Sequence, residues 1–331
     1  MLRKFLSIAG TTFAETIRQP IYFVLLWAAV GLLLLNPGLA AYSLKAGQDN
    51  AVMQDVAVAT MMLYGLLASV FSATGVITRE IESFTVLTVI SKPVSRPLFL
   101  VGKFAGVAAA IAVAYYFLAI VFLMTVRHGV METNADKFDL PVIVFGLTAL
   151  AISLAVATFG NYVYGWNFLT TFTGWIVPAA TLALAAALFF SREWAPQSPL
   201  FDFTDEEKGA FYNLRVIYAI LMSFMAVLVL AAFAVALSTR FSEAVTLTLC
   251  VAIYLLGLFS DYAFGSADSA ALAKLLYYVV PNFQFFWVGD ALTQKIDIPL
   301  AQVGRVVGYG ALYTLAVLSL GVAMFQTREV G

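Results

Sequence analysis

The chain alternates between long, continuously apolar runs and short polar breaks. A membrane-spanning helix needs ~20 mostly apolar residues, within about 17–25. Eight runs meet that length, near 20–36, 55–77, 104–126, 141–159, 168–190, 215–237, 244–263 and 303–325. Their apolar character is unbroken rather than alternating, which excludes barrel strands. The break between 141–159 and 168–190 rests on Asn161, Tyr162, Trp166 and Asn167. Ahead of the first run, Leu2, Phe5, Leu6, Ala9, Phe13 and Ile17 recur at helical spacing. They predict an amphipathic helix over 1–19 lying in the membrane interface, with Pro20 opening the first span and a transmembrane domain over 20–331. A signal peptide fits this segment poorly, because the polar lead is long and holds Glu15. The expected fold is an all-α membrane protein, a polytopic helical bundle of about eight transmembrane helices.

Composition agrees with the pattern. Of 331 residues, 62% are apolar and 11% charged, against about 25% charged in a soluble domain. So few charges cannot cover a soluble globule of this size. A soluble enzyme, a nucleic-acid binder and a disordered chain are therefore excluded. Where the charges fall says more. Within the spans only Asp55, Arg215, Asp261 and Arg305 occur, each close to an end. An interior charge is usually kept for ion or proton handling, so its lack argues against an ion-coupled carrier. With both termini placed in the cytoplasm, inside and outside segments hold nine cations each. The inside segments are shorter, so their cation density is higher, and the termini are expected on the cytoplasmic side of the cell membrane.

Three segments are not spans. The first, 78–103, is the longest cytoplasmic loop. Glu80 and Glu82 start a short helix that Pro93 stops, and Phe84, Leu87 and Ser91 share one face of it. An aromatic and a leucine flanked by Arg79, Lys92 and Arg96 have the makings of a docking knob; a loop lying on the membrane surface is the alternative. The second, 264–302, has two short apolar runs around Pro281-Asn282, which suggests a helical hairpin dipping into the outer leaflet. Tyr277, Tyr278, Phe283, Phe285, Phe286 and Trp287 would then sit at headgroup level, as an aromatic belt rather than a substrate site. The third, 191–214, carries Asp205-Glu206-Glu207 and reads as a solvated outer loop, a cation site being the lesser reading.

Little else suggests chemistry. Gly102-Lys103 is followed by Phe104 and preceded by Pro97 where a phosphate loop would need glycine, so the chain lacks that ATP-binding device. No catalytic residue and no metal site is expected. Gly102/Gly106 and Gly304/Gly308 are small-residue pairs that let helices approach closely. His128 and Cys250 read as structural.

The 78–103 loop resembles a known family. Arg79-Glu80, Thr85, Leu87, Ser91-Lys92-Pro93-Val94-Ser95-Arg96 and Gly102-Lys103 are similar to the loop signature of type-2 ABC exporter permeases. The N-terminal amphipathic helix, the Val280-Pro281-Asn282-Phe283 break and the ending Phe325-Gln326-Thr327-Arg328-Glu329 add to the resemblance. It implies the transmembrane subunit of an ABC transporter, paired with a second permease copy or a paralogue and with two separate ATP-binding subunits. ATP and Mg would bind those partners, and this chain would hold no cofactor and bind no nucleic acid. In the family this loop is a coupling helix, which places Glu82, Phe84, Thr85, Leu87 and Ser91 in the ATPase contact and Pro93, Ser95 and Arg96 at its exit. The family's short outer helices match 270–292, making Tyr277, Tyr278, Pro281, Phe283, Phe286 and Trp287 outer-gate candidates. Phe84 stands where the family usually has glycine. The family core has six spans, so two of the eight, expected among 141–190, are additional.

The leading expectation is therefore the permease half of an ABC exporter. An ABC-driven anchor that powers assembly outside the membrane and an ion-coupled secondary carrier remain as alternatives. The substrate stays open, since aromatic and apolar linings occur in every membrane bundle.

Overall fold

A computed structural model describes residues 2–41, 49–82, 95–131, 137–197, 214–264, 277, 279–294 and 296–327. Among them every regular element is helical: α1 (Leu2–Ile17), α2 (Pro20–Ala40), α3 (Asp49–Glu82), α4 (Arg96–His128), α5 (Leu140–Tyr164), α6 (Phe168–Leu188), α7 (Leu214–Ser238), α8 (Glu243–Leu258), α9 (Ser260–Phe264), α10 (Gly289–Thr293) and α11 (Leu300–Gln326), with a 3-10 turn at Phe283–Phe286. The expected polytopic helical bundle is what forms.

Among the described residues seven helices are long and apolar enough to cross a membrane: α2, α3 (as far as Thr78), α4, α5, α6, α7 and α11. The run expected to span at 244–263 is divided instead. Its first part is α8, of 16 residues, and the chain restarts after Phe259 as α9, of 5 residues. At 1.5 Å per residue α8 is about 24 Å long, short of a hydrocarbon core of about 30 Å. The cause is the returning chain. A Cβ on Gly257 would overlap the Pro281 carbonyl and the Phe283 ring, and Gln284 Nε2 donates to the Leu258 carbonyl at 2.7 Å. The 281–284 segment therefore occupies the space the rest of the span would fill.

Central helices α3, α4 and α7 bury 67% of their most apolar window within the protein; α2, α6 and α11 bury 33% and α5 28%. The outer helices face their apolar side chains outward, Leu34, Leu147, Phe159, Leu312 and Leu315 among them. A water-facing surface of that kind would be an aggregation site; in a bilayer it is solvated. α3 and α7 cross where Gly65 leaves room for the Val227 side chain.

Local signals explain the ends. Pro20 starts α2, while Pro37 lies inside its last turn instead of ending it. In a membrane helix the carbonyl that a proline frees is tolerated. Gly165, in the left-handed region at φ 67°, ends α5 (φ +67 also strains any substitution there), and Asn167 Oδ1 accepts from Thr170 N at 3.0 Å to start α6. The four residues that signalled this break thus include both the cap of α6 and its packing aromatic, since Trp166 lies against Gly160.

The amphipathic helix α1 is docked on α4. A Cβ on Gly106 would lie 2.6 Å from the Ala9 carbonyl, and one on Gly102 2.9 Å from Ile8 Cγ2. Of the pairs expected to bring helices together, this one does so; Cβ atoms on Gly304 and Gly308 would meet nothing within 4 Å among the described residues. Leu2 and Leu6 remain exposed and Ile17 is buried. Gly106→Leu is expected to lever α1 off α4 because the obstacle is backbone. Protease sensitivity within residues 2–17 should rise while α4 remains helical; unchanged protection would refute the close contact.

Candidate functional site

The two helices that lead into and out of the 83–94 segment, α3 and α4, are joined at its base by ions. Lys103 on α4 is 3% exposed. Its Nζ donates to Glu80 Oε1 of α3 at 2.7 Å and lies 3.6 Å from Glu15 Oε2 of α1. It also sits 5.5 Å from the centroid of the Phe99 ring, a cation–π arrangement. A buried ammonium needs such partners, because desolvation of an unpaired charge costs several kcal/mol. One cation therefore ties together the end of α3, the first third of α4 and the amphipathic helix. Movement of the loop cannot leave α1 behind without breaking that cluster.

A second tie runs to the last helix. Arg96, in the first turn of α4, donates from Nη1 to the Phe325 and Gln326 carbonyls at 3.0 and 2.7 Å. Its guanidinium carbon lies 5.7 Å from the Phe325 ring centroid, and Phe325 stacks on Phe99. These carbonyls are at the C-terminal end of α11, where no helical partner remains and a cation is favoured. Arg240, after α7, donates to Met324 O and to Thr327 Oγ1. Thr78 Oγ1 of α3 bonds the Ser238 carbonyl of α7 at 3.3 Å. All these contacts lie at one end of the bundle, the end that also holds α1 and the end of α11.

Of the residues expected to couple, Ser95 and Arg96 are placed. Ser95 is the exposed, extended residue before α4, without a side-chain capping bond. Phe84, Thr85, Leu87, Ser91, Pro93 and the Glu82 side chain lie outside the described residues. Glu15, Lys103 and Phe325 were not singled out as site residues from sequence. Lys103 was visible as the lone cation leading an apolar run, and Glu15 as an acid on the polar side of α1, but nothing local pairs them.

At the far end, Pro281, Phe283 and Phe286 form a wedge. Phe283 and Phe286 are fully buried, Phe283 against Tyr254 of α8 and Phe286 against Tyr309 and Gly310 of α11. The headgroup-level belt expected of them is therefore not what they form; Phe285, 44% exposed, is the one of the three phenylalanines that faces outward. Trp287 is half-buried, and its indole nitrogen lies close to Gly289. Asp261 holds the wedge by accepting from Tyr277 Oη at 3.0 Å and Asn282 Nδ2 at 2.9 Å. Asn282 N donates to Tyr309 Oη at 2.9 Å. Buried polar backbone at the break is thus satisfied by protein, as its depth requires. Tyr278 lies outside the described residues.

The far end also carries a clamp on the α5–α6 pair. Arg127, at the end of α4, donates from Nε to Asp139 Oδ2 at 2.9 Å and from Nη2 to the Phe190 carbonyl at 2.7 Å. The two side chains are 9% and 0% exposed. Asp139 caps α5 by accepting from Val142 N at 3.2 Å. A second buried cation, Arg215 of α7, donates to Asp297 ahead of α11 at 2.9 Å. No group of His, Cys, Asp and Glu that could hold a metal occurs among the described residues.

No curated protein matches the chain. Residues 7–162, from α1 through the Lys103 cluster to the end of α5, match the family model described as ABC-2 family transporter protein. That match agrees with the resemblance carried by the 78–103 loop: residues 7–162 are similar to the membrane domain of ABC-2 family transporters, and the long apolar helices are those of a multi-pass membrane protein.

Proposed function

We propose that the chain is the permease subunit of an ABC exporter, driven by a separate ATP-binding subunit that docks on residues 78–103 from the cytoplasm. The observation that carries this reading is the Lys103 cluster. It joins both flanks of the loop to α1, so a force applied to the loop is delivered to three helices together. The end that holds it also holds Arg96 and Arg240, in keeping with cytoplasmic termini. Two permease copies and two ATP-binding subunits would complete the complex, with ATP and Mg held by the latter. Closure of those subunits on ATP would favour one of two arrangements of the α3–α4 base, and the differential contact would shift the bundle toward outward opening. The wedge at Pro281, Phe283, Phe286 and Trp287 stands in the path of such opening and is the gate in this reading.

Capture of the cognate ATP-binding subunit tests the assignment. Wild-type protein should retain it, and Phe84→Asp combined with Leu87→Asp should lose it while the permease stays folded. Full retention by the double variant would overturn the docking assignment.

A further inference from the structure

A cavity of about 500 Å³ lies between α2, α4 and the α5–α6 pair. That is within the usual size of small-molecule sites, which run from about 300 to 1,000 Å³. Trp27, Leu34, Val121, Met124, Gly146 and Ile176 are among its walls, which are almost wholly apolar. It runs from the middle of α2 to the far end of α4, at His128 and Gly129. Its mouth is on the outside of the bundle, where Leu34 and Leu147 are 61% and 60% exposed. A side chain so placed on a spanning helix faces hydrocarbon, so the mouth opens on lipid rather than water. An apolar space of this size loses dispersion contacts on every wall when empty, and Thr125 and His128 give it too few polar partners to hold water throughout. The medium at its mouth supplies the matching filler.

The far rim adds a second requirement. Arg192, exposed, donates to the Arg127 carbonyl at 3.2 Å and lies beside Gly129. It pairs with no carboxylate among the described residues. Two nearby acids among the described residues are already engaged: Asp139 by Arg127, and Glu193 by Lys137 at 2.5 Å. That ammonium holds the Glu193 carboxyl below its ordinary range. Arg192 is left with a guanidinium that suits a phosphate.

We propose that one acyl chain of a membrane phospholipid occupies this cavity, with its phosphate at Arg192, and that it seals the α5–α6 pair to the rest of the bundle. The proposal does not depend on transport or on an ATPase partner. The walls name the chain, and the rim names the headgroup.

Photolabelling in nanodiscs tests it, using trace phosphatidylglycerol with a diazirine in one acyl chain. Adducts on 121–131 and 142–150 should saturate as the probe fraction rises. Gly146→Phe, which puts a ring into the cavity past Met124, should cut them about tenfold; Gly38→Leu, where a Cβ meets nothing within 4 Å, does the same job if the first variant misfolds. Arg192→Gln should reduce labelling by the phospholipid and leave labelling by a diazirine diacylglycerol unchanged. Labelling that grows in proportion to probe without saturating, or that ignores the cavity-filling variants, overturns the site. Equal phospholipid labelling of Arg192→Gln overturns the phosphate contact. Cross-linking between copies through Leu147→Cys would put a second protomer over the mouth and likewise overturn the lipid assignment.

Discussion

Arg127→Leu is expected to destabilise the protein by about 3–5 kcal/mol, the cost of leaving one member of a buried ion pair without its partner. Asp139 is fully buried, and its carboxylate would lose the guanidinium while still capping α5. The same substitution takes the Arg127 bond from the Phe190 carbonyl after α6 and leaves it only that of Gln197 Nε2, so the start of α5 and the end of α6 loosen together. Arg127→Lys restores charge but cannot reach Asp139 and Phe190 together, since an ammonium lacks the fork of a guanidinium; recovery should be partial. Removing both charges in Arg127→Leu with Asp139→Leu should recover most of the loss, because a buried pair replaced by apolar groups is often near neutral. Unfolding in mixed detergent micelles reads all three variants. A double variant as unstable as the single one would show that the clamp acts through something other than the ion pair.

Lys103→Met is the second large effect. It removes the cation that Glu80 and Glu15 share and takes its ammonium from both carboxylates. Those acids are 27% and 46% exposed, so water recovers part of the loss and the destabilisation falls below that of Arg127→Leu. The functional effect should be the larger one. With the tie cut, α3 and α4 can move without α1, and under the proposed function ATP hydrolysis by the assembled complex should continue while its coupling to movement of this subunit is lost. Measured ATPase activity should therefore stay within about twofold of wild type while transport or outer-side movement drops at least tenfold. A proportional loss of both would mean that Lys103 supports folding only. Exchanging the charges, with Lys103→Glu and Glu80→Lys, gives a further readout, since only an ionic tie can be rescued by reversal.

The bundle itself was legible because lipid as solvent demands long apolar runs, and no other fold satisfies their backbone. α5 and α6 were separable from four residues, since Asn167 and Trp166 form a cap and a packing contact that local sequence encodes. The divided span at 244–263 was not legible. Its composition is that of a span, and what stops it is Pro281 and Phe283 arriving from elsewhere to fill the space beside Gly257. The fate of Phe283 and Phe286 was hidden for the same reason: an aromatic run near a break looks alike whether it faces headgroups or a neighbouring helix. At the proposed coupling end, the loop motif drew attention to α3 and α4, whose flanks Lys103 and Glu80 join. The pairing of Lys103 with Glu15, 88 positions apart, came from the docking of α1 on Gly102 and Gly106 and so needed the fold. The glycine pair had signalled a close approach without saying of what.

In the proposed function an ATP-binding subunit pushes on this protein at residues 78–103. A photoreactive amino acid at position 87, in the reconstituted complex, tests it most directly. A cross-link to the ATP-binding subunit is expected, with a yield that changes between the ATP-bound and nucleotide-free states. A complex that assembles and hydrolyses ATP, yet gives no such cross-link from position 87 while one forms from the Phe285 end of the bundle, would contradict it.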